Sequence, residues 1–242
     1  VEPANHLRTD DFTRTRWSLV QQLRAPRPGE AREALLELAV RYWYPVYAYV
    51  RRCGHASEIA QDITRAFFQH LAAEPGDGAL PQGRFRDWLL WRLNTFLAGD
   101  WQELTGNDAI VIAPALEDLE RRNRDDRVAA GSPEQAFQRG FALEVLARGF
   151  KRLQSEAGQT GHLDMYEALE PYLAHDPLPG QYEEIGQRLG IRPLALVLAL
   201  KRLRQRFREL VQQELIGTVA SPEALDGEQR ALFAVLGGGT QA

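Results

Sequence analysis

The chain has 242 residues and a formal net charge of −4 at pH 7. That is long enough for two modest domains with ample core and too acidic overall for a generic nucleic-acid coat, which needs clustered positive charge. No apolar run approaches the roughly 18 residues of a membrane span, the opening VEPANHLRTDDF has neither the apolar core nor the basic flank of a secretory signal, and the single cysteine, Cys53, leaves no disulfide framework and no thiolate metal cluster, so a cytoplasmic protein is the expectation.

Apolar residues recur at three- and four-residue spacing and no stretch alternates as a strand would, so the chain reads as all α. A first helix begins near Thr13 (TRTRWSLVQQL). PRPG at 26–29 separates it from AREALLELAVRYWYPVYAYVRRC, where Pro45 is a place to bend or divide the helix. Trp43, Tyr44 and Tyr47 read as packing between helices. Ser57 stands where it can cap SEIAQDITRAFFQHLAAE. On that wheel Ile59, Ile63, Phe67 and His70 share one face, Gln61, Arg65, Glu58 and Phe68 point away, and Thr64 lies on the flank between them. A threonine so placed ordinarily bonds back to the carbonyl four residues earlier, at Ala60. The loop PGDGALPQG leads into the aromatic-rich FRDWLLWRLNTFLAGDW. Residues 104–131 combine a short apolar piece with dense charge and read as a flexible or weakly ordered linker. Ser132, Pro133 and Gln135 then occupy the cap, first-turn and capping-box positions of a long helix. HLDMYEALEPYL is a further helix, stopped by Pro177 and Pro179. No repeat of solenoid length is present, and GGGTQA reads as a frayed terminus.

QYEEIGQRLGIRPLALVLALKRLRQRFREL has the spacing of a helix-turn-helix. Ile185 and Leu189 share a face, Gly186 is small where the second helix must cross closely, and Gly190 permits the tight turn. Leu196, Leu200, Leu203, Phe207 and Leu210 form a continuous seam, surrounded by Lys201, Arg202, Arg204, Arg206 and Arg208. From Arg192 to Arg208 there are six basic residues and no acidic one. Alone, the block fits DNA binding and equally two packed helices with a solvated arginine-rich end.

Together with that motif, RYWYPVYAYVRRCGHASEIAQDITRAFFQHL and GRFRDWLLWRLNTFLAGDW resemble the extracytoplasmic-function group of sigma factors in the sigma-70 family, over nearly the whole chain. The resemblance implies a region 2-like domain at 1–103, a linker at 104–131, a region 4-like helix-turn-helix domain at 132–219 and a C-terminal extension at 220–242. It also implies a bacterial promoter-recognition subunit whose first domain grips the RNA polymerase clamp and the −10 element and whose last domain reads the −35 element. Carried onto this chain, polymerase contacts fall at Gln61, Asp62, Thr64, Arg65 and Phe68. Promoter DNA contacts fall at Arg86, Trp88, Arg92, Thr95, Trp101, Gln187, Arg188, Arg192, Lys201 and Arg202.

The chain departs from that pattern in three places. Ile59, Gln61 and Ala66 stand where relatives commonly carry acids for the clamp, leaving Asp62 alone of the set. A subgroup with this depletion is understood to be switched on by a serine/threonine kinase, so the resemblance makes Thr64 a phosphorylation site that would restore a charge of about −1.5 to −2. Gln102 and Glu103 follow Trp101 where arginines are usual. Val197 and Leu198 replace polar or basic groups on the groove-facing helix, and Arg192 is a poor capping residue.

Two other classes compete with the sigma reading. One is a sigma-like protein-interaction regulator that has lost efficient promoter binding, using Phe68, Val197 and Leu198 as apolar contacts. The other is an enzyme, for which the sequence offers little. The five histidines (6, 55, 70, 162 and 175) form no metal-site pair, Cys53 beside Arg51 and Arg52 reads as a packed small residue, no glycine-rich phosphate loop occurs, and no cofactor is expected. Of Trp88, Trp91 and Trp101, which can stack on unpaired bases, two are expected to be core. Leu225, Leu232, Phe233 and Leu236 form an amphipathic stretch in the extension that can dock on either domain or on a partner.

Overall fold

The computed structural model describes residues 16–23, 27–73, 84–99, 101, 113–127, 131–219 and 222–237. In chain order the helices are α1 Arg16–Leu23, α2 Pro28–Arg52, α3 Ser57–Ala73, α4 Phe85–Ala98, α5 Leu116–Arg127, α6 Pro133–Gln159, α7 Leu163–Leu169 with a 3-10 turn Glu170–Tyr172, α8 Gln181–Leu189, α9 Pro193–Ile216 and α10 Pro222–Gly237. The protein is all α, with no strand among the described residues. The helix start near Thr13, the loop at 75–83, Gln102, Glu103 and residues 238–242 lie outside the described residues. No described helix is long and apolar enough to cross a membrane.

The chain forms two compact units, Val1–Glu144 with Leu215–Ala242, and Val145–Glu214. These limits differ from the sequence boundaries at 103, 131 and 219, because the start of α6 and one face of α10 pack into the first unit's core. Phe137, Phe141, Leu225 and Leu232 are all buried, and the Phe85 N–H donates to the Thr218 carbonyl at 3.2 Å.

At the centre of the first unit lies α2, whose residues 42–50 are buried without exception. A helix apolar all round must be enclosed on every side, and the rings along it meet several neighbours. Tyr42 lies 5.2 Å from Phe85 and stacks on Phe141 at 5.8 Å, and Trp43 stacks on Phe68 at 5.8 Å. Pro28 starts this helix at a first-turn position, where a missing N–H is harmless. Pro45 neither divides nor ends it: α2 continues to Arg52, although the Arg41 carbonyl loses its intrahelical donor. Against that proline sits Gly140 of α6, where a Cβ would lie 3.1 Å from Pro45 Cα.

Residues 116–127, expected as linker, form α5 instead. Its charges are not idle. Tyr44 and Tyr47 donate to Asp126 and Glu120, each at 2.5 Å, and Arg51 grips Glu120 through Nε at 2.8 Å and a second nitrogen at 3.0 Å. Arg122 lies over the Tyr44 ring at 3.8 Å from its centroid and pairs with Glu144 at 2.7 Å. Leu119 provides the buried apolar contact. Burial first, and the acid partners second, push both tyrosine hydroxyls well above their ordinary range.

The second unit is held by the seam the sequence marks. Ala168, Leu169, Ile185, Leu196 and Leu200 form one apolar cluster, and Leu153, Tyr166 and Leu210 another. Phe150 and Phe207 have ring centroids 4.4 Å apart. They cross beside Gly149, where a Cβ would meet Phe207 at 2.9 Å. The capping box forms as expected: Gln135 N donates to Ser132 Oγ at 3.2 Å and Ser132 N to Gln135 Oε1 at 3.1 Å. It stands at the start of α6, within the first unit.

The hydrogen bond from Arg51 holds the Glu120 carboxyl below its ordinary 4.5. A depressed carboxyl stabilises the fold above its unfolded pKa, and that contribution fades as pH falls through the lower folded value. Replacing Glu120 by Gln is therefore expected to lower stability by about 1 kcal/mol near pH 7. Thermal melts of the two proteins should converge as the pH is taken well below 4.5.

Candidate functional site

Three surfaces carry the residues singled out from the sequence. On α3 the buried face comprises Ala60, Ile63, Thr64, Ala66, Phe67, Phe68 and Leu71, whereas Ile59 is 45% exposed. The wheel is thus turned from the expected one. The stripe 60, 63/64, 67/68, 71 keeps the i, i+3/i+4, i+7 spacing of a single buried face.

Thr64 lies in the middle of that stripe, wholly buried, and its hydroxyl donates to the Ala60 carbonyl at 2.7 Å. The backbone-bonded reading accounts for it. The expected phosphorylation site is out of reach in this fold, because the hydroxyl has neither solvent access nor a spare position. Phe68, expected as a polymerase contact, is likewise fully buried against Trp43 and Phe67. Ser57 is no cap: the first backbone bond of α3 runs from Ala60 N to Ala56 O, and the Ser57 hydroxyl donates to Glu58 at 2.7 Å. Toward its N-terminal half α3 offers solvent Glu58, Ile59 and the half-buried Gln61, Asp62 and Arg65. Asp62 is engaged by Arg65 at 2.6 Å, and Gln61 donates to the Pro114 carbonyl at 2.9 Å.

Arg84, Asp87, Trp91, Asn94, Thr95 and Ala98 form the exposed stripe of α4. Trp91 is 57% exposed, and the Arg92 guanidinium lies 5.7 Å from its ring centroid. Trp88 and Trp101 are half-buried, packed against Phe85 at 5.3 Å and His55 at 5.7 Å. Thr95 is exposed, with its hydroxyl bonded to the Trp91 carbonyl at 3.1 Å. Arg86 departs from its expected DNA role. It is 3% exposed, donates to Gln138, and clasps the fully buried Glu228 at 2.9 and 3.0 Å, with its guanidinium near the Phe141 ring. Arg84 reaches the same carboxylate at 3.1 Å. Burial pushes the Glu228 carboxyl up, and the two guanidiniums oppose that rise. This α4–α10 clasp was not legible locally, since its partners are 142 residues apart.

The helix-turn-helix forms from α8 and α9. Gly190 adopts the left-handed φ of 67° that ends α8, and the Ile191 N–H returns to the Gly186 carbonyl at 2.9 Å. At Gly186 a Cβ would lie 2.5 Å from the Ile191 carbonyl oxygen, so only glycine fits this crossing. Arg192 contributes its carbonyl to the first turn of α9, accepting from Ala195 N at 2.9 Å. The cations divide into two groups. Arg204 is tied to the carbonyls of Tyr172 and His175 and to Asp176, and Arg206 to Glu156 and Glu209. Gln187, Arg188, Arg192, Lys201 and Arg202 are exposed, and none of those four cations has an ion-pair partner among the described residues. Leu194, absent from the sequence-derived set, is the most exposed apolar side chain of α9, at 71%.

Among the described residues no group of three or more His, Cys, Asp or Glu side chains could hold a metal ion. No protein-family model matches the chain, and no curated protein or solved structure matches it either.

Thr64→Val is expected to change stability by no more than about 1 kcal/mol, because the Ala60 carbonyl keeps its backbone donor. Thr64→Asp places an unpartnered carboxylate in the core and should destabilise by about 3 kcal/mol or more, read by urea denaturation. An Asp variant as stable as wild type would show the site open to solvent. Gly186→Ala should lose about 1–3 kcal/mol through the Ile191 clash, seen as a lowered Tm.

Proposed function

We propose that the chain is a sigma factor of the extracytoplasmic-function type, a DNA-binding subunit that directs bacterial RNA polymerase to promoters without catalytic chemistry of its own. The observation that carries this reading is the helix-turn-helix of α8 and α9, with Arg188, Arg192, Lys201 and Arg202 standing free around its second helix. Cations already held by internal acids, such as Arg206, have little left for phosphates. These four can neutralise a DNA backbone and set the domain's register on it.

A second feature supports the same reading. Trp91 on α4 offers an open indole with a guanidinium beside it, a combination suited to stacking on an unpaired base next to a phosphate. Together with the resemblance of RYWYPVYAYVRR and FRDWLL to the sigma-70 family, this supports a reading in which α4 meets the −10 element and α9 the −35 element. Polymerase contact then falls to the outer edge of α3, at Glu58, Gln61, Asp62 and Arg65. Kinase control through Thr64 would require α3 to open locally before the hydroxyl could be modified.

The test is reconstitution of the full chain with bacterial RNA polymerase core on a fragment bearing −10 and −35 elements. Salt-dependent promoter binding and transcription are expected. Trp91→Ala should weaken capture of the melted −10 strand by about 1–3 kcal/mol while leaving duplex binding at −35 unchanged. Absence of any holoenzyme, or a salt-insensitive complex, would overturn the sigma reading.

A further inference from the structure

The first two turns of α9 present solvent with a face that carries no hydrogen-bonding side chain. Leu194 is 71% exposed, Val197 41% and Leu198 51%, and Ala195 beside them is exposed too. Their i, i+3, i+4 spacing makes one strip, opposite the buried Leu196 and Leu200. Lys201 continues the strip by a turn, Arg202 flanks it, Arg192 stands at its start and Arg188 on α8. No acidic residue occurs anywhere between Ile185 and Arg208.

We infer that this strip is a docking surface for an acidic amphipathic helix of a partner protein, whose apolar side chains cover Leu194, Val197 and Leu198 while its carboxylates meet Lys201, Arg202 and Arg192. The inference goes beyond promoter binding and does not rest on it. Charge complementarity selects the occupant. A second copy of the same strip is disfavoured, since antiparallel pairing sets Lys201 and Arg202 of one copy against Leu194 and Arg192 of the other, cation on cation with no acid to relieve it. Duplex DNA satisfies the cations but not the leucines. Pressed into the major groove, these side chains strip water from base-edge donors and acceptors and return no hydrogen bond, and only thymine methyl groups suit them. An acidic amphipathic helix answers both the apolar strip and its basic rim.

The experiment uses the full chain and three labelled probes in fluorescence anisotropy: a synthetic leucine–glutamate amphipathic helical peptide, a leucine–lysine peptide of the same apolar pattern, and an AT-rich duplex. Binding of the glutamate peptide but not the lysine peptide is expected. A Val197→Gln/Leu198→Gln double variant should weaken the glutamate peptide roughly ten-fold or more. Both substitutions are at solvent-exposed positions, and an unaltered melting curve confirms that the fold is kept. The inference is overturned if the glutamate peptide does not bind, if the double variant binds it as well as wild type, or if that variant loses duplex binding instead, which would make the strip a DNA reader. It is also overturned if the variant converts a dimer to a monomer, which would make a second copy the occupant. Promoter binding by the holoenzyme is measured separately, so failure here leaves the sigma reading standing.

Discussion

Burying a helix on all sides demands that polar groups on it find partners inside the protein, and along α2 Tyr44, Tyr47 and Tyr49 meet that demand. Each of these three rings contributes apolar area to the core while its hydroxyl reaches outward to an acceptor on a neighbouring helix. Tyr44 and Tyr47 reach Asp126 and Glu120 of α5, and Tyr49 reaches Asn94 of α4. The same residues that exclude water thereby fix which helices surround α2 and in what register. Gly140 adds a steric condition, since a Cβ at that position would press on Pro45 Cα at 3.1 Å. The exposed stripe of α4 points outward because Phe85, Leu89, Leu93 and Phe96 on the opposite face are buried, and Asn94 within that stripe accepts the Tyr49 bond.

A second organising contrast runs through the arginines. Arg51, Arg86, Arg204 and Arg206 are structural, each aimed at an acid or a carbonyl that it holds in place. Arg86 is the extreme case, because a guanidinium and a carboxylate removed from water together tolerate no loss of either partner. Among the described residues, Arg188, Arg192, Lys201 and Arg202 carry no such commitment and lie close together on α8 and α9. A net charge of −4 therefore conceals a local cluster of uncommitted cations.

How much of this could be read from the chain depends on how local each cause is. The Ser132–Gln135 box, the turn at Gly190 and the seam Leu196, Leu200, Leu203, Phe207 and Leu210 were legible because their partners lie within a few residues or repeat with the helix period. Residues 116–127 were not, since Glu120 and Asp126 are engaged by Tyr44, Tyr47 and Arg51, about seventy to eighty residues earlier. Arg86 resembled a surface cation for the same reason: its counter-charge, Glu228, is supplied from α10. Thr64 is the instructive case. A polar residue at the centre of an apolar stripe reads as a flank position unless the hydroxyl is known to be silenced by its own backbone, and the missing acids around it then make it look functional.

Leu215–Ala242 completes the unit begun by Val1–Glu144, which makes Val145–Glu214 an insertion within a discontinuous domain. During synthesis the helix-turn-helix unit therefore leaves the ribosome with all its own core residues before the first unit has received Leu225, Glu228 and Leu232. The usual amino-to-carboxyl order of domain folding is reversed, and until α10 arrives the nascent first unit carries Arg86 without its counter-charge and an uncovered apolar face. The part of the chain made first is the last able to finish, and its closure waits on the arrival of α10.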